Sequence, residues 1–404
     1  MIRYYIHYGV IAYWVLLLLI NAARLRAYIP VSANLSYVFL GISLLFSVAI
    51  LLKNPKILAD RAFMVLWLVL LYSLFYYILF DQSYNGMLYL AAKTATFLMI
   101  AVNLYYGYDY LIENFMDIVI RIGFAVLVVG VLINTSYFGG RYTGPFGNPN
   151  SLGWLSSLLF GLTYLGKKQS PKTYAMLLFL LAMVMMSGSR ASMGGVVLAI
   201  LLKGRLTPKK IFILAFGIAM LFALQNVASH FGVTTGLDRI IKSEKNNRLL
   251  SGRASEYALG ILTVKEAPIT GHGLDKYAYI SERILRISGI LRKDPNFVGN
   301  PHNSFIAMFV MYGIPIGLLV FLTLVLYILK VAFSGIDRKD LLFAVLFSFI
   351  AATFESYLFG VSGFEGLIFW MALPMSLMYI EKKQACKTIK SEEKEIALPN
   401  HQNY

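Results

Sequence analysis

Five side chains combine a chemically capable type with an unusual setting: Arg141, Arg190, Arg248, Arg253 and His302. Arg141 sits in the glycine-rich run Gly139-Gly-Arg141-Tyr-Thr-Gly-Pro-Phe-Gly-Asn148-Pro-Asn150, and Arg190 in the turn Ser187-Gly-Ser-Arg190-Ala-Ser192. Arg248 and Arg253 stand near the start of a long polar stretch that His302 closes. A guanidinium pairs bidentately with phosphate oxygens and keeps its charge at every physiological pH. An imidazole, with an ordinary pKa of about 6.5, can take a proton from a hydroxyl near neutrality. The group suits a phosphate or diphosphate held beside a hydroxyl that must lose its proton.

Simpler readings stand beside this one. An isolated arginine at a membrane surface serves equally well as an anchor in the headgroups. Asn148-Pro-Asn150-Ser reads first as a turn and helix cap. No second histidine or carboxylate lies at ligand spacing from His302, so no metal site is expected. Cys386 is the only cysteine, which excludes an intramolecular disulfide.

The elements that must position these residues are membrane helices. Of the 404 residues 58% are hydrophobic and 14% charged, well outside the soluble range. Apolar runs at 6-20, 35-52, 62-80, 87-106, 115-133, 151-166, 173-187, 191-202, 211-228, 314-330, 341-360 and 363-380 predict an all-α integral membrane protein with about 12 transmembrane helices. The net charge of +16 is then a topology signal and not a mark of nucleic-acid binding. With both termini cytoplasmic, Lys53, Lys56, Arg61, Lys167, Lys168, Lys172, Lys203, Arg205, Lys209, Lys210, Arg338 and Lys339 fall on inner connections. Only Arg24, Arg26, Arg141 and Arg190 fall on short outer ones.

Four regions follow from this count: spans 1 to 9 over 1-228, an extracytoplasmic loop or cap over 229-301, a re-entrant half-helix with spans 10 to 12 over 302-380, and a cytoplasmic tail over 381-404. The loop between spans 9 and 10 is long enough to require structure of its own, with helices expected at 253-264 and 276-292. Gly313-Ile-Pro315 should break the helix that begins after His302. The tail is polar enough to be disordered. Ionisable residues within spans are functional candidates by default, namely Lys93, Glu355, Glu365, and Asp117 with Arg121, four apart and expected to pair. Glu355 and Glu365 are placed to balance the outer arginines.

Several motifs follow one another in order: Arg141-x-x-Gly144-x-x-x-Asn148-Pro-Asn150, Ser189-Arg190-Ala, Gly252-Arg253 leading to Ile269-Thr-Gly-His-Gly273, and Pro301-His302-Asn303-Ser304 followed by Gly313. Over residues 139 to 330 the chain resembles the O-antigen ligases and Wzy-type polysaccharide polymerases. That resemblance implies a GT-C-type glycosyltransferase of the bacterial cytoplasmic (inner) membrane, acting on its extracytoplasmic face without metal or other cofactor. It implies a glycan on undecaprenyl diphosphate as substrate, the lipid bilayer as surroundings and a chain-length regulator as candidate protein partner. His302 takes the place of the family's histidine, Arg190 and Arg253 of its loop arginines, and Arg141 of its glycine-loop arginine; Arg248 has no clear counterpart.

The expected reaction is inverting transfer. His302 acts as base, Asn303 orients the site, and the arginines stabilise the departing diphosphate and hold His302 neutral. Polymerisation of lipid-linked repeat units is the first reading, with ligation to lipid A-core as its close alternative. A flippase that grips the same diphosphate is the alternative from another class. Replacing Arg190 with Lys keeps the charge and loses the planar fork, so R190K is expected to cut polymer or ligation product at least about tenfold. An unchanged glycan profile on a gel would mark Arg190 as a surface anchor.

Overall fold

Capping residues and helix breakers set several element boundaries. A computed structural model of the chain describes residues 2–29, 31–137, 140–168, 170–204, 253–289 and 299–397. Helices α1 (Ile2–Asn21), α2 (Asn34–Lys53) and α3 (Met64–Tyr76) come first, and a wider helical turn at Tyr77–Asp81 continues α3. Ser83 then caps α4 (Tyr84–Ile133) by accepting from the Gly86 N–H.

Asn148 caps α5 (Pro149–Gly166) and Ser170 caps α6 (Pro171–Ser187), each followed by proline at the first helical position. Gly188, with φ 63°, ends α6, and α7 (Arg190–Leu202) begins at once. After these come α8 (Arg253–Glu266), the short α9 (Glu282–Ile287), α10 (Ser304–Phe333), α11 (Lys339–Ala351) and α12 (Phe364–Ala397).

Among the described residues there is no strand, and five helical segments are long and apolar enough to cross a membrane. They are Ile2–Asn21, Asn34–Lys53, Arg61–Asp81, Tyr84–Ile133 and Ser304–Phe333. The run at 211-228 and the residue Arg248 lie outside the described residues.

Helix α4 is helical throughout, yet its two halves run in opposite directions. Near its start the Tyr89 hydroxyl donates to the Phe359 carbonyl. In its middle the Ile112 carbonyl accepts from Arg338 and Asp117 pairs with Lys167. Gly130, near its end, packs on Pro145, next to Phe146, whose ring stacks on Phe364. A straight rod would separate residues 89 and 130 by roughly 60 Å, so the helix must reverse around residues 108–117. The protein therefore has two ends: one carries Phe359, Pro145 and the connections before α5, α7 and α10, and the other carries Lys167, Arg338 and Lys382.

Three expectations about the helices are corrected. The run at 341-360 does not stay helical: α11 stops at Ala351 and residues 352–363 form an irregular loop. The region 276-292 contributes only Glu282–Ile287 as described helix, and the polar tail, instead of being disordered, remains helical to Ala397. Its Lys and Glu are good helix formers, and α12 supplies the nucleated turn they extend. Asp117 does meet Arg121, at 3.9 Å, but Lys167 is its closer partner.

Helix α10 breaks at Gly313, whose φ of 69° and ψ of 179° leave the helical region. The loop at 268–273 fills the gap and bonds the freed backbone. His272 N donates to Val310 O, Gly273 N to Met311 O, and Ile314 N to Pro268 O. The approach is close enough that both sides need glycine: a Cβ on Gly313 would lie 2.3 Å from Ile269 O, and one on Gly271 2.3 Å from Met311 O. Gly313→Ala is expected to lower the thermal midpoint in detergent by several degrees, a loss of about 2 kcal/mol or more from positive φ and overlap together. Gly194→Ala, with open space at its Cβ, is the matched control and should leave the midpoint within about one degree.

Candidate active site

The irregular loop after α11 carries the residue on which the site converges. The half-buried Glu355 carboxylate meets three partners from three separate parts of the chain. Its Oε1 accepts from Arg253, at the start of α8, at 2.5 Å, and from Asn150, in the first turn of α5, at 2.7 Å. Its Oε2 accepts from His302 Nδ1 at 3.1 Å. Asn150 in turn accepts from Arg141, which also donates through Nε to the Ser187 carbonyl at 2.8 Å. Arg141 thus ties the glycine-rich loop to the turn that leads into Arg190. Arg190 is half-buried in the first turn of α7, three residues on from Ser187.

The backbone of the same loop is equally committed. Arg253 donates to Phe354 O, and Tyr257, one helical turn further along α8, donates to Thr353 O at 2.9 Å. Asn303 caps α10 by accepting from Phe305 N and Ile306 N, while its Nδ2 donates to Thr353 O. Ser304 donates to Glu355 O at 2.6 Å. Asn300 accepts from His302 N and from the Ser356 hydroxyl, holding His302 at φ 43°, a conformation uncommon outside glycine. Both faces of the network are therefore fixed before any ligand arrives.

Of the residues singled out from sequence, Arg141, Asn150, Arg253, His302, Asn303 and Glu355 come together in this network. Asn148 uses its side-chain oxygen to cap α5, accepting from Asn150 N at 2.8 Å. Glu365 lies buried in the first turn of α12 beneath the same loop. Tyr257, Ser304 and Ser356 were not anticipated. Tyr257 had a signal, its spacing of four from Arg253 on a helix, whereas the two serines carry none beyond their place next to other site residues.

One electrostatic expectation is overturned. The arginines do not set the balance at His302. Its pKa is raised above the usual 6.5, first because Glu355 accepts from the ring and stabilises the imidazolium. Burial and the Arg253 charge act the other way and are outweighed. With Nδ1–H engaged by Glu355, the neutral ring presents Nε2 as its free basic atom.

Residues 175–322 match the family model described as O-antigen ligase, just over a third of the chain. The segment runs from α6 into α10 and includes Arg190, Arg253, His302 and the break at Gly313. The match over this segment supports a relationship to the O-antigen ligase and Wzy-type enzymes. A search of curated proteins gave no match. Glu355, Arg141 and Asn150 lie outside the matched segment and are joined to it by the fold.

If His302 acts as a base it works unprotonated, so activity should fall as pH drops through its raised pKa. Glu355→Gln removes the group that raises it and leaves burial and Arg253, which lower it. The acid limb of the kcat/KM profile is expected to move to lower pH in E355Q, whatever the loss of absolute rate. An acid limb at the wild-type position would show that another group controls it.

Proposed function

We propose that this protein transfers a glycan from a lipid-linked diphosphate to an acceptor hydroxyl, with His302 as general base and arginines around it as diphosphate ligands. The observation that carries the reading is the convergence on Glu355 of His302, Arg253 and, through Asn150, Arg141. In the step envisaged, Nε2 of His302 takes the hydroxyl proton as the acceptor oxygen attacks the anomeric carbon. The bond from that carbon to the diphosphate oxygen breaks on the opposite side, which inverts the configuration. Negative charge collects on the departing diphosphate, and fixed guanidinium groups stabilise it there. Arg190 and Arg253 are assigned this role, with Arg141 in support; Arg248 stays a candidate on sequence alone.

The proposed placement is multi-pass in the inner membrane. The end away from the site gathers Lys167, Arg338, Lys339, Lys382 and Lys383, the pattern of a cytoplasmic face. Helices α7 and α11 link the two ends with 13 residues each, about 20 Å at 1.5 Å per residue. A hydrocarbon core is about 30 Å thick, so a site carried at their far ends sits recessed below the extracytoplasmic surface. That depth suits a substrate whose charged group is tethered to a buried prenyl chain. Polymerase and ligase share this chemistry and differ in acceptor, another lipid-linked repeat unit or lipid A-core, and the family match supports the two equally.

His302→Ala is expected to lower turnover at least about 100-fold while the protein inserts at the normal level. The checks are the cellular polysaccharide profile and the amount of protein in the membrane. Normal glycan from cells carrying only the H302A protein would remove His302 from the reaction. Glycan units stranded on the cytoplasmic side after deletion of the protein would favour the flippase.

A further inference from the structure

Outside the Glu355 network the described residues hold a second cation in an unusual position. Lys93, in the first half of α4, is 2% exposed. Its ammonium lies 5.2 Å from the centre of the Phe97 ring and 4.9 Å from that of Trp370. Among the described residues no carboxylate pairs with it and no acceptor takes its protons. Ring faces favour a cation but do not replace the hydration an ammonium loses on burial. A lysine kept in such a place without a counter-ion points to a ligand that supplies one.

The surroundings show where that ligand would enter. Lys93 lines a cleft between α1, α4 and α12, with Tyr13, Thr96 and Trp370 in its walls and Gly360 and Gly363 at its rim. The enclosed space between the walls is only about 10 Å³, so a ligand can meet the ammonium only from the open mouth. The rim belongs to the loop that carries Glu355, and that loop is pinned to the walls of the cleft. Tyr13 donates to Val361 O at 3.1 Å, Tyr89 to Phe359 O at 2.9 Å, and Trp370 Nε1 to Leu358 O at 2.8 Å.

The heights agree as well. Lys93 lies fifteen residues before Tyr108, whose ring holds Lys382 at the far end, and Ala351 lies twelve residues after Lys339 at that same end. Each interval is about 20 Å of helix, so Lys93 and the start of the Glu355 loop are level. A narrow cleft at this depth cannot take a sugar. It can take one anionic group at its mouth, bonded to the ammonium directly or through a water.

We propose that Lys93 is a second anion-binding residue of the site and holds a phosphate of the lipid-linked substrate on the side where the prenyl chain enters. The inference rests on the lipid-diphosphate reading above and adds a recognition residue to it. A sugar carboxylate has the same chemistry, but sugars extend from the recess toward water, whereas the phosphates lie where lipid and site meet.

The test uses the full-length protein in nanodiscs, with binding measured apart from turnover. Farnesyl diphosphate is the probe, and the wild-type and H302A proteins are the reference pair. Both are expected to bind it, because His302 is assigned to the hydroxyl and not to the phosphates. Lys93→Met should weaken binding at least about tenfold, and with the full donor should raise KM by more than it lowers kcat. K93M should also raise the thermal midpoint without ligand, since it removes an uncompensated buried charge; that separates lost binding from misfolding. Lys93→Arg, which keeps a cation at the cleft, should bind more tightly than K93M.

Wild-type affinity in K93M would overturn the proposal and mark Lys93 as a packing residue. Lys93-dependent binding of a phosphate-free glucuronate oligosaccharide in place of farnesyl diphosphate would overturn it in favour of a carboxylate site. Failure of wild-type protein itself to bind farnesyl diphosphate would instead count against the lipid-diphosphate reading.

Discussion

Gathering several cations in one recess is unfavourable unless an anion lies between them, and in this protein that anion is the half-buried carboxylate of Glu355. Arg253 and Asn150 share one of its oxygens and His302 takes the other. The residues come from α8, from α5 and from the turn before α10; α8 packs directly on α10, and the Glu355 carboxylate joins both to α5. Removing the carboxylate would leave the Arg253 guanidinium without its ion-pair partner in a partly dry space, the costly half of breaking a buried pair, and would take from His302 the group that favours its charged form. The same contact engages Nδ1 of His302 and leaves Nε2 as the open nitrogen of the neutral ring.

The scaffold is arranged to hold that loop among helix ends. Two 13-residue helices, α7 and α11, stop short of the distance a full span requires, and the ends they leave are occupied by Arg190 and by the Glu355 loop. Helix α10 is broken at Gly313, and the loop at 268–273 satisfies the backbone groups the break exposes. Irregular backbone at membrane depth is tolerated only where protein bonds it, as this loop does. The arrangement couples α8 to α10 on both sides of the site, since Gly260 of α8 also packs against Pro301 and Ile306.

Much of this was legible in the sequence because side-chain type alone dictates it. Asn-Pro and Ser-Pro pairs announce the starts of α5 and α6, and Gly188 the end of α6. Glycine and proline at 313 and 315 mark a weak point in an otherwise apolar helix. Arginines out of keeping with the charge bias at 141 and 190 point to the end of the molecule where the Glu355 network is found. The end of α11 was not legible. The apolar run continues past Ala351, and what stops the helix is tertiary: Ser304 N takes the Ala352 carbonyl, and Asn303 and Tyr257 take that of Thr353. The protonation of His302 was misjudged for a related reason. An arginine cluster beside His302 suggested repulsion, whereas the one carboxylate in contact with the ring outweighs it.

The most direct measurement of the central contact is nitrogen-15 NMR of His302 in protein labelled only at histidine, with the signal assigned by its loss in a His302→Gln sample. The protein contains five histidines, few enough to resolve. The Glu355 contact requires the neutral ring to carry its proton on Nδ1 and to titrate above the ordinary histidine value of about 6.5. A neutral ring protonated on Nε2, or a midpoint below that value, would contradict the account.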